Sequence, residues 1–324
     1  MNIALNLAVG LVFVAAAILA GMVIFGTAEA PSPLSSISKP FETADFSTLP
    51  PVQTLAARSD GTLAFRQWNS GSAGVPGTVV IAIHGSSASS ASLHPLADAL
   101  SAHGIEVYAP DIRGHGQSEP RGDIAHETQL DEDLNDLVAE IARRHPASRP
   151  VLIGFSSEGG YALHVAGSPL GLKFGRVLLI SPMLGPFAPT IREGGNAWAK
   201  PFIPRIVALS ILNRFGIRGF DYLPVIRFAI DPAQASFLTA TYSFRLLKAF
   251  GTKDYAADLS HAAIPVQVLV GGEDELFDAG RFEPAIHAVR PDFPVTVVDG
   301  VNHIGMITAA PGIDAILKAL KSQA

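Results

Sequence analysis

Six short apolar runs, rich in β-branched residues, recur along the chain and each gives way to small or turn-forming residues. They are "GTVVIAIHG", "GIEVYAPD", "PVLIGF", "RVLLIS", "PVQVLVGG" and "PVTVVDG". None alternates apolar with polar side chains, so each predicts a strand covered on both faces, the condition of a parallel sheet between layers of helix. Helical patterns separate the first of them. Leu93 to His103 is one, and Thr128 to Arg144 is another, with Leu130, Leu134, Leu137, Val138 and Ile141 on one stripe and Thr128 as its expected N-cap. Strands alternating with helices through short connections specify a mostly parallel, doubly wound α/β sheet. Upstream, "TLAARSDGTLAFRQWN" reads as a hairpin turning at Ser59-Asp60-Gly61.

One interval breaks this rhythm. From about 183 to 263 no strand of the core type occurs, and the pieces "IPRIVALSILNRFGIRGF" and "TYSFRLLKAF" mix apolar and basic residues at helical spacing. An insertion of this length predicts a helical cap over the C-terminal edge of the sheet. Its apolar residues Trp198, Phe202, Ile203, Ile206, Leu209 and Phe215 either line a lipophilic site or pack the cap's own core.

The N-terminus addresses location. Leu7 to Phe25 runs nineteen residues without a polar side chain, and no charged side chain precedes Glu29. At about 1.5 Å per helical residue, residues 3–26 span a hydrocarbon core of about 30 Å. A cleaved signal peptide is the competing reading, since Ala28-Glu29-Ala30 is an A-x-A-like site. The length of the run, the lack of a preceding Lys or Arg and the Pro31 that follows favour an uncleaved anchor. Lys39 is the first basic side chain, so charge bias says little about orientation; the short leading tail favours a domain outside the cytoplasm. Residues 27–51, rich in Pro, Ser, Thr and Ala, read as a linker, and 52–324 as the folded domain. The net charge of −6 with scattered basic residues leaves no footprint for nucleic acid, and a chain without cysteine has neither disulfides nor thiolate chemistry.

The stretch "RPVLIGFSSEGGYAL", Arg149 to Leu163, passes from strand through small residues into helix. A serine at such a bend projects its hydroxyl clear of both elements, the setting of a nucleophile elbow with the pattern G-x-S-x-G. Gly154 and Ser156 satisfy the first half, while Glu158 stands where the second glycine belongs. Ser157 would instead pair with Gly159 but would put Phe155 in the first glycine position. The strand register favours Ser156 as nucleophile, leaving the Ser157 amide to face the site.

Together, "IAIHGSSAS", "VYAPDIRGHGQSE", "LIGFSSEGG", "VLVGGEDELFD" and "GVNHIGM" occur in an order and spacing that resemble the α/β-hydrolase superfamily. The similarity is greatest to its branch of monoglyceride lipases, lysophospholipases and serine aminopeptidase-like (S33) enzymes, and covers Leu55 onward. It implies the α/β-hydrolase fold and a Ser-His-Asp triad in the chain order Ser, Asp, His. Asp274 follows a late strand and His303 the last one, before the helix "DAILKAL". Glu273 and Asp278 are the acidic alternatives. By the same resemblance "HGSS" is the oxyanion loop, with the Ser86 amide as donor beside that of Ser157, and His84 and Gly85 shaping the loop. His115, in "DIRGHGQS", is expected to be structural.

The implied activity is hydrolysis of a carboxylic ester, of a lipophilic monoacylglycerol or lysophospholipid type, with no cofactor. A serine elbow implies acyl transfer rather than the alkyl-enzyme chemistry of an aspartate, and no zinc, P-loop or dinucleotide motif is present. A peptidase, an acyltransferase or a non-catalytic membrane-anchored scaffold are the alternatives on the same fold.

Overall fold

A computed structural model describes residues 2–58, 61–70, 78–192, 198–231 and 238–322, with side chains from residue 5. Its strands are β1 (Gln53–Ala56), β2 (Thr62–Trp68), β3 (Val79–Ile83), β4 (Glu106–Pro110), β5 (Val151–Phe155), β6 (Arg176–Ile180), β7 (Ala199–Pro201), β8 (Pro224–Phe228), β9 (Thr241–Ser243), β10 (Val266–Gly271) and β11 (Val295–Val298). The first helices are α1 (Asn2–Ile24), α2 (Ser35–Glu42), α3 (His94–Ala102), α4 (Gln129–Arg144), α5 (Ser157–Ala166) and α6 (Ile203–Arg214). They are followed by α7 (Phe244–Ala249), α8 (Tyr255–His261), α9 (Phe282–His287), α10 (Gly305–Thr308) and α11 (Ala310–Lys321).

Eight strands form the main sheet in the order β1-β2-β4-β3-β5-β6-β10-β11. The β1–β2 and β2–β4 pairs are antiparallel and the rest parallel. The apolar runs lie in it because successive side chains point to opposite faces and both faces are covered. In β6, Val177 and Leu179 enter the core beneath α4, α5 and α9, whereas Leu178 and Ile180 enter the one beneath α3 and α11. Each fully buried aliphatic side chain contributes about 1.5–3 kcal/mol. The sheet is therefore doubly wound, the α/β-hydrolase fold.

The structure refines several local expectations. The hairpin forms between β1 and β2, with Ala57 N donating to Gly61 O at 3.2 Å; Ser59 and Asp60 lie outside the described residues. The 27–51 segment is not uniformly irregular: Leu34, Ile37 and Phe41 recur at spacings of three and four and pack α2 against the cores. Thr128 occupies the N-cap position of α4, but its hydroxyl donates to Glu132 Oε1 at 2.8 Å rather than accepting from the helix.

Between β6 and β10, no strand among the described residues joins the main sheet. The interval holds α6, α7 and α8, yet also a three-stranded antiparallel sheet of order β7-β8-β9. These strands have three to five residues, too short for a period to register in sequence. At the N-terminus, α1 includes a 20-residue apolar stretch, Leu5–Ile24, of mean hydropathy 2.8, almost all of it uncovered by protein. It is long and apolar enough to cross a bilayer.

Candidate active site

β5 ends at Phe155 and α5 begins at Ser157, so Ser156 carries the whole reversal. Its φ of 60° and ψ of −124° lie where an L-residue is strained, and it is held there by neighbours on both sides. Ser156 N donates to Ile180 O at 2.9 Å, while Ser156 O accepts from Gly159 N at 3.0 Å and Met183 N at 2.8 Å. The small residues of the elbow are set by close packing. A Cβ at Gly154 would stand 2.4 Å from Glu158 O, and one at Gly160 2.3 Å from Met183 O. Position 158 escapes this crowding because its side chain turns aside, into a buried polar cluster.

The loops after β10 and β11 converge on this bend. His303 Nε2 lies 2.9 Å from Ser156 Oγ, and His303 Nδ1 lies 2.7 Å from Asp274 Oδ2. A carboxylate only accepts, so Asp274 fixes the proton on Nδ1 and leaves Nε2 free to accept from the serine hydroxyl. The other oxygen, Asp274 Oδ1, accepts from Leu276 N and Phe277 N, each at 2.9 Å. Burial works against ionisation of Asp274, but the adjacent His303 and the Phe277 amide prevail and hold its carboxyl below the usual range. Glu273 is exposed, and Asp278 Oδ1 accepts from Gly280 N at 3.1 Å; neither reaches the imidazole. Ser157 is near but differently engaged: its hydroxyl bonds Glu158 Oε2.

Three contributors were not read from the sequence. The His303 ring lies between Phe155, 4.9 Å away by centroid, and Phe277, 5.3 Å away. Glu275 Oε2 accepts from His303 N at 3.0 Å, tying the histidine loop to the acid loop. The E-D-E cluster was the only available signal for Glu275, and it does not say which carboxylate turns inward.

The loop after β3 lies against the elbow: a Cβ at Gly85 would be 3.3 Å from Ser156 Cβ. Ser157 opens α5, so its amide is among those a helix N-terminus leaves without an intrahelical acceptor. Ser86 sits in the β3 turn, and Trp198 Nε1 donates to its hydroxyl at 2.9 Å. Beside it, Ser87 is held at φ 69° by cap residues: Ser87 N donates to Tyr242 Oη and Ser87 Oγ to Thr239 O, both at 2.8 Å. Behind this loop lie His84, His115, Tyr242 and Glu158, all buried. His84 Nε2 accepts from Ile112 N at 3.3 Å, and His115 bonds Tyr242 Oη and the Arg113 carbonyl. Burial keeps both histidines below their usual pKa, His115 far below, and both serve the loop's architecture. Burial also pushes the Glu158 carboxyl well above the ordinary range, and its Oε1 accepts no hydrogen bond, with His84 Nδ1 3.9 Å away.

Of the cap's apolar residues, Leu209 is buried and Ile206 packs beside it, while Ile203 and Phe215 are exposed. Trp198 of that set bonds the loop after β3 through its side chain. Ser156 and His303 are only 7% and 2% exposed.

A model of the family "serine aminopeptidase, S33" matches residues 74–306. A monoacylglycerol lipase of Mycolicibacterium smegmatis is 35% identical over 86 residues, a segment that is 26% of this chain and spans 31% of that lipase. The fold is similar to that of a monoglyceride lipase from Saccharomyces cerevisiae, with TM-score 0.63, 18% identity, and 86% of this chain and 96% of that one covered. A monoacylglycerol lipase from Paleococcus ferrophilus gives TM-score 0.59 at 18% identity, covering 81% and 99%. A bromoperoxidase from Bacillus anthracis gives 0.58 at 19% identity, covering 84% and 100%, so the fold by itself does not select a reaction.

Proposed function

Since this chain belongs to the serine aminopeptidase, S33, family of α/β-hydrolases and is an ester-cleaving hydrolase, we propose that Ser156, His303 and Asp274 are its catalytic triad. The observation that carries this reading is the unbroken hydrogen-bonded line from Asp274 Oδ2 through the imidazole to Ser156 Oγ. Ser156 Oγ attacks the acyl carbonyl carbon as His303 Nε2 takes its proton. The amides of Ser86 and Ser157 receive the oxyanion, each such donor lowering the barrier by about 2.7–4 kcal/mol. Collapse expels the alcohol, protonated by His303. Water, deprotonated by the same nitrogen, then releases the carboxylic acid and restores Ser156.

The substrate is a lipophilic monoacyl ester of the monoacylglycerol or lysophospholipid type, supported by the named relatives and by an apolar helix joined to the same chain. Residues 3–26 form an anchor, 27–51 a linker, and 52–324 the hydrolase domain with its cap at about 183–263, held outside the cytoplasm. The test is a chain-length series of p-nitrophenyl esters and monoacylglycerols, with aminoacyl p-nitroanilides in parallel, on wild type, Ser156→Ala and Ser157→Ala. Expected are fluorophosphonate labelling lost only in Ser156→Ala, and turnover that rises with acyl chain length. Loss of turnover in Ser157→Ala alone would move the nucleophile by one residue; preference for the anilides would make the enzyme a peptidase.

A further inference from the structure

The last turns of α1 do not stand apart from the folded domain. Val23 is buried in one apolar cluster with Ala208 and Leu209 of α6, and Leu19 and Met22 pack on the same cluster. The junction is also polar. Arg205 Nε donates to Val23 O at 2.8 Å and its Nη2 to Gly26 O at 2.7 Å, so a cation closes the C-terminal carbonyls of α1. Gly26, at φ +85°, lets the Phe202 ring approach to where a Cβ would be 2.8 Å away. The cap thus holds the chain from Leu19, inside the apolar stretch, to Gly26, two residues beyond it.

Beyond the anchor helix, the same cap carries most of the exposed large apolar side chains of the described residues. Outside α1, the described residues expose ten large apolar side chains, and all but Phe25, Leu172 and Val297 fall between Phe187 and Tyr222. Within this region Arg214-Phe215-Gly216-Ile217-Arg218-Gly219-Phe220 is exposed throughout. Aromatic and aliphatic side chains interleaved with arginines suit the boundary between acyl chains and anionic headgroups.

We propose that Arg205 clasps the anchor helix to the cap so that the exposed segment Arg214–Phe220 rests on the surface of the bilayer α1 crosses. The occupant is a lipid surface rather than a protein partner because α1 delivers that surface to this end of the cap in the same chain. The inference rests on the anchor reading. It makes the membrane the platform from which ester substrate reaches the covered Ser156.

The chain has no cysteine, so single labels are unambiguous. Full-length Val12→Cys, Phe215→Cys and Leu172→Cys would each carry an environment-sensitive fluorophore, in vesicles of phosphatidylcholine and phosphatidylglycerol containing nitroxide lipids. Expected are deep quenching at 12, headgroup-level quenching at 215 and none at 172. Quenching at 12 without quenching at 215 leaves the anchor intact and overturns the docking; quenching at neither, or loss of the residue-12 label by cleavage, overturns both. In the clasp test, Arg205→Ala lowers quenching at 215 but not at 12, and slows hydrolysis of a long-chain monoacylglycerol in the vesicles by tenfold or more. Soluble p-nitrophenyl acetate, turned over as by wild type, verifies the fold. Gly26→Ala, which drives a methyl into Phe202, produces the same split. Unchanged quenching at 215 in both variants overturns the clasp.

Discussion

Asp274 shows how much of the chemistry depends on one carboxylate's environment. It keeps its charge inside the protein because the imidazole and two backbone amides compensate for lost water. Asp274→Asn preserves the shape but offers Nδ1 an amide, which permits the wrong tautomer; kcat is expected to fall by about 10⁴-fold with KM little changed. Steady-state kinetics on a soluble ester check this. Glu158 is the opposite case, a carboxyl beside Ser157 whose pKa burial raises well above the ordinary range. Its folded pKa lies above the unfolded value, so the folded state holds a proton that the unfolded chain releases. Its contribution is fully present below the unfolded carboxyl pKa of about 4.3 and is lost as pH rises through the folded value. Melting temperatures of Glu158→Gln minus wild type should therefore increase from about pH 5 upward; parallel curves would show that Glu158 is not protonated in the fold.

At the scale of elements, the loop after β3 and the cap are joined by side-chain hydrogen bonds. Tyr242, on β9, accepts from Ser87 N and meets His115 at 2.5 Å, joining the cap sheet to the loop after β3. Tyr242→Phe leaves that buried amide unpaired, for an expected loss of about 1–3 kcal/mol of stability and a kcat decrease larger than any rise in KM. Denaturant melts and kinetics on one preparation separate the two effects. The sheet allows a plainer test. Leu178→Ala and Leu179→Ala open cavities on opposite faces of β6, and both should cost about 2–5 kcal/mol. A sheet wet on one face would tolerate one of them. This two-sidedness was legible in the unalternating runs, and so was the placement of Ser156, Asp274 and His303 at strand ends. The cap sheet was not, since strands as short as Ala199–Pro201 carry no period. Nor were Phe155, Phe277, Glu275 and Tyr242 legible as parts of the site, because contacts between residues far apart in the chain leave no local pattern.

Over the whole molecule, a sheet covered on both faces brings three side chains distant in sequence, Ser156, Asp274 and His303, together beyond its strand ends. Ser156 pays for that arrangement in backbone torsion, at a φ of 60° that about 1–3 kcal/mol of local strain accompanies. Replacing it with glycine, which occupies that region freely, should yield a protein that melts higher than Ser156→Ala while being equally inert. The gap between those two melting curves measures how far natural selection has traded durability for reactivity at a single peptide unit.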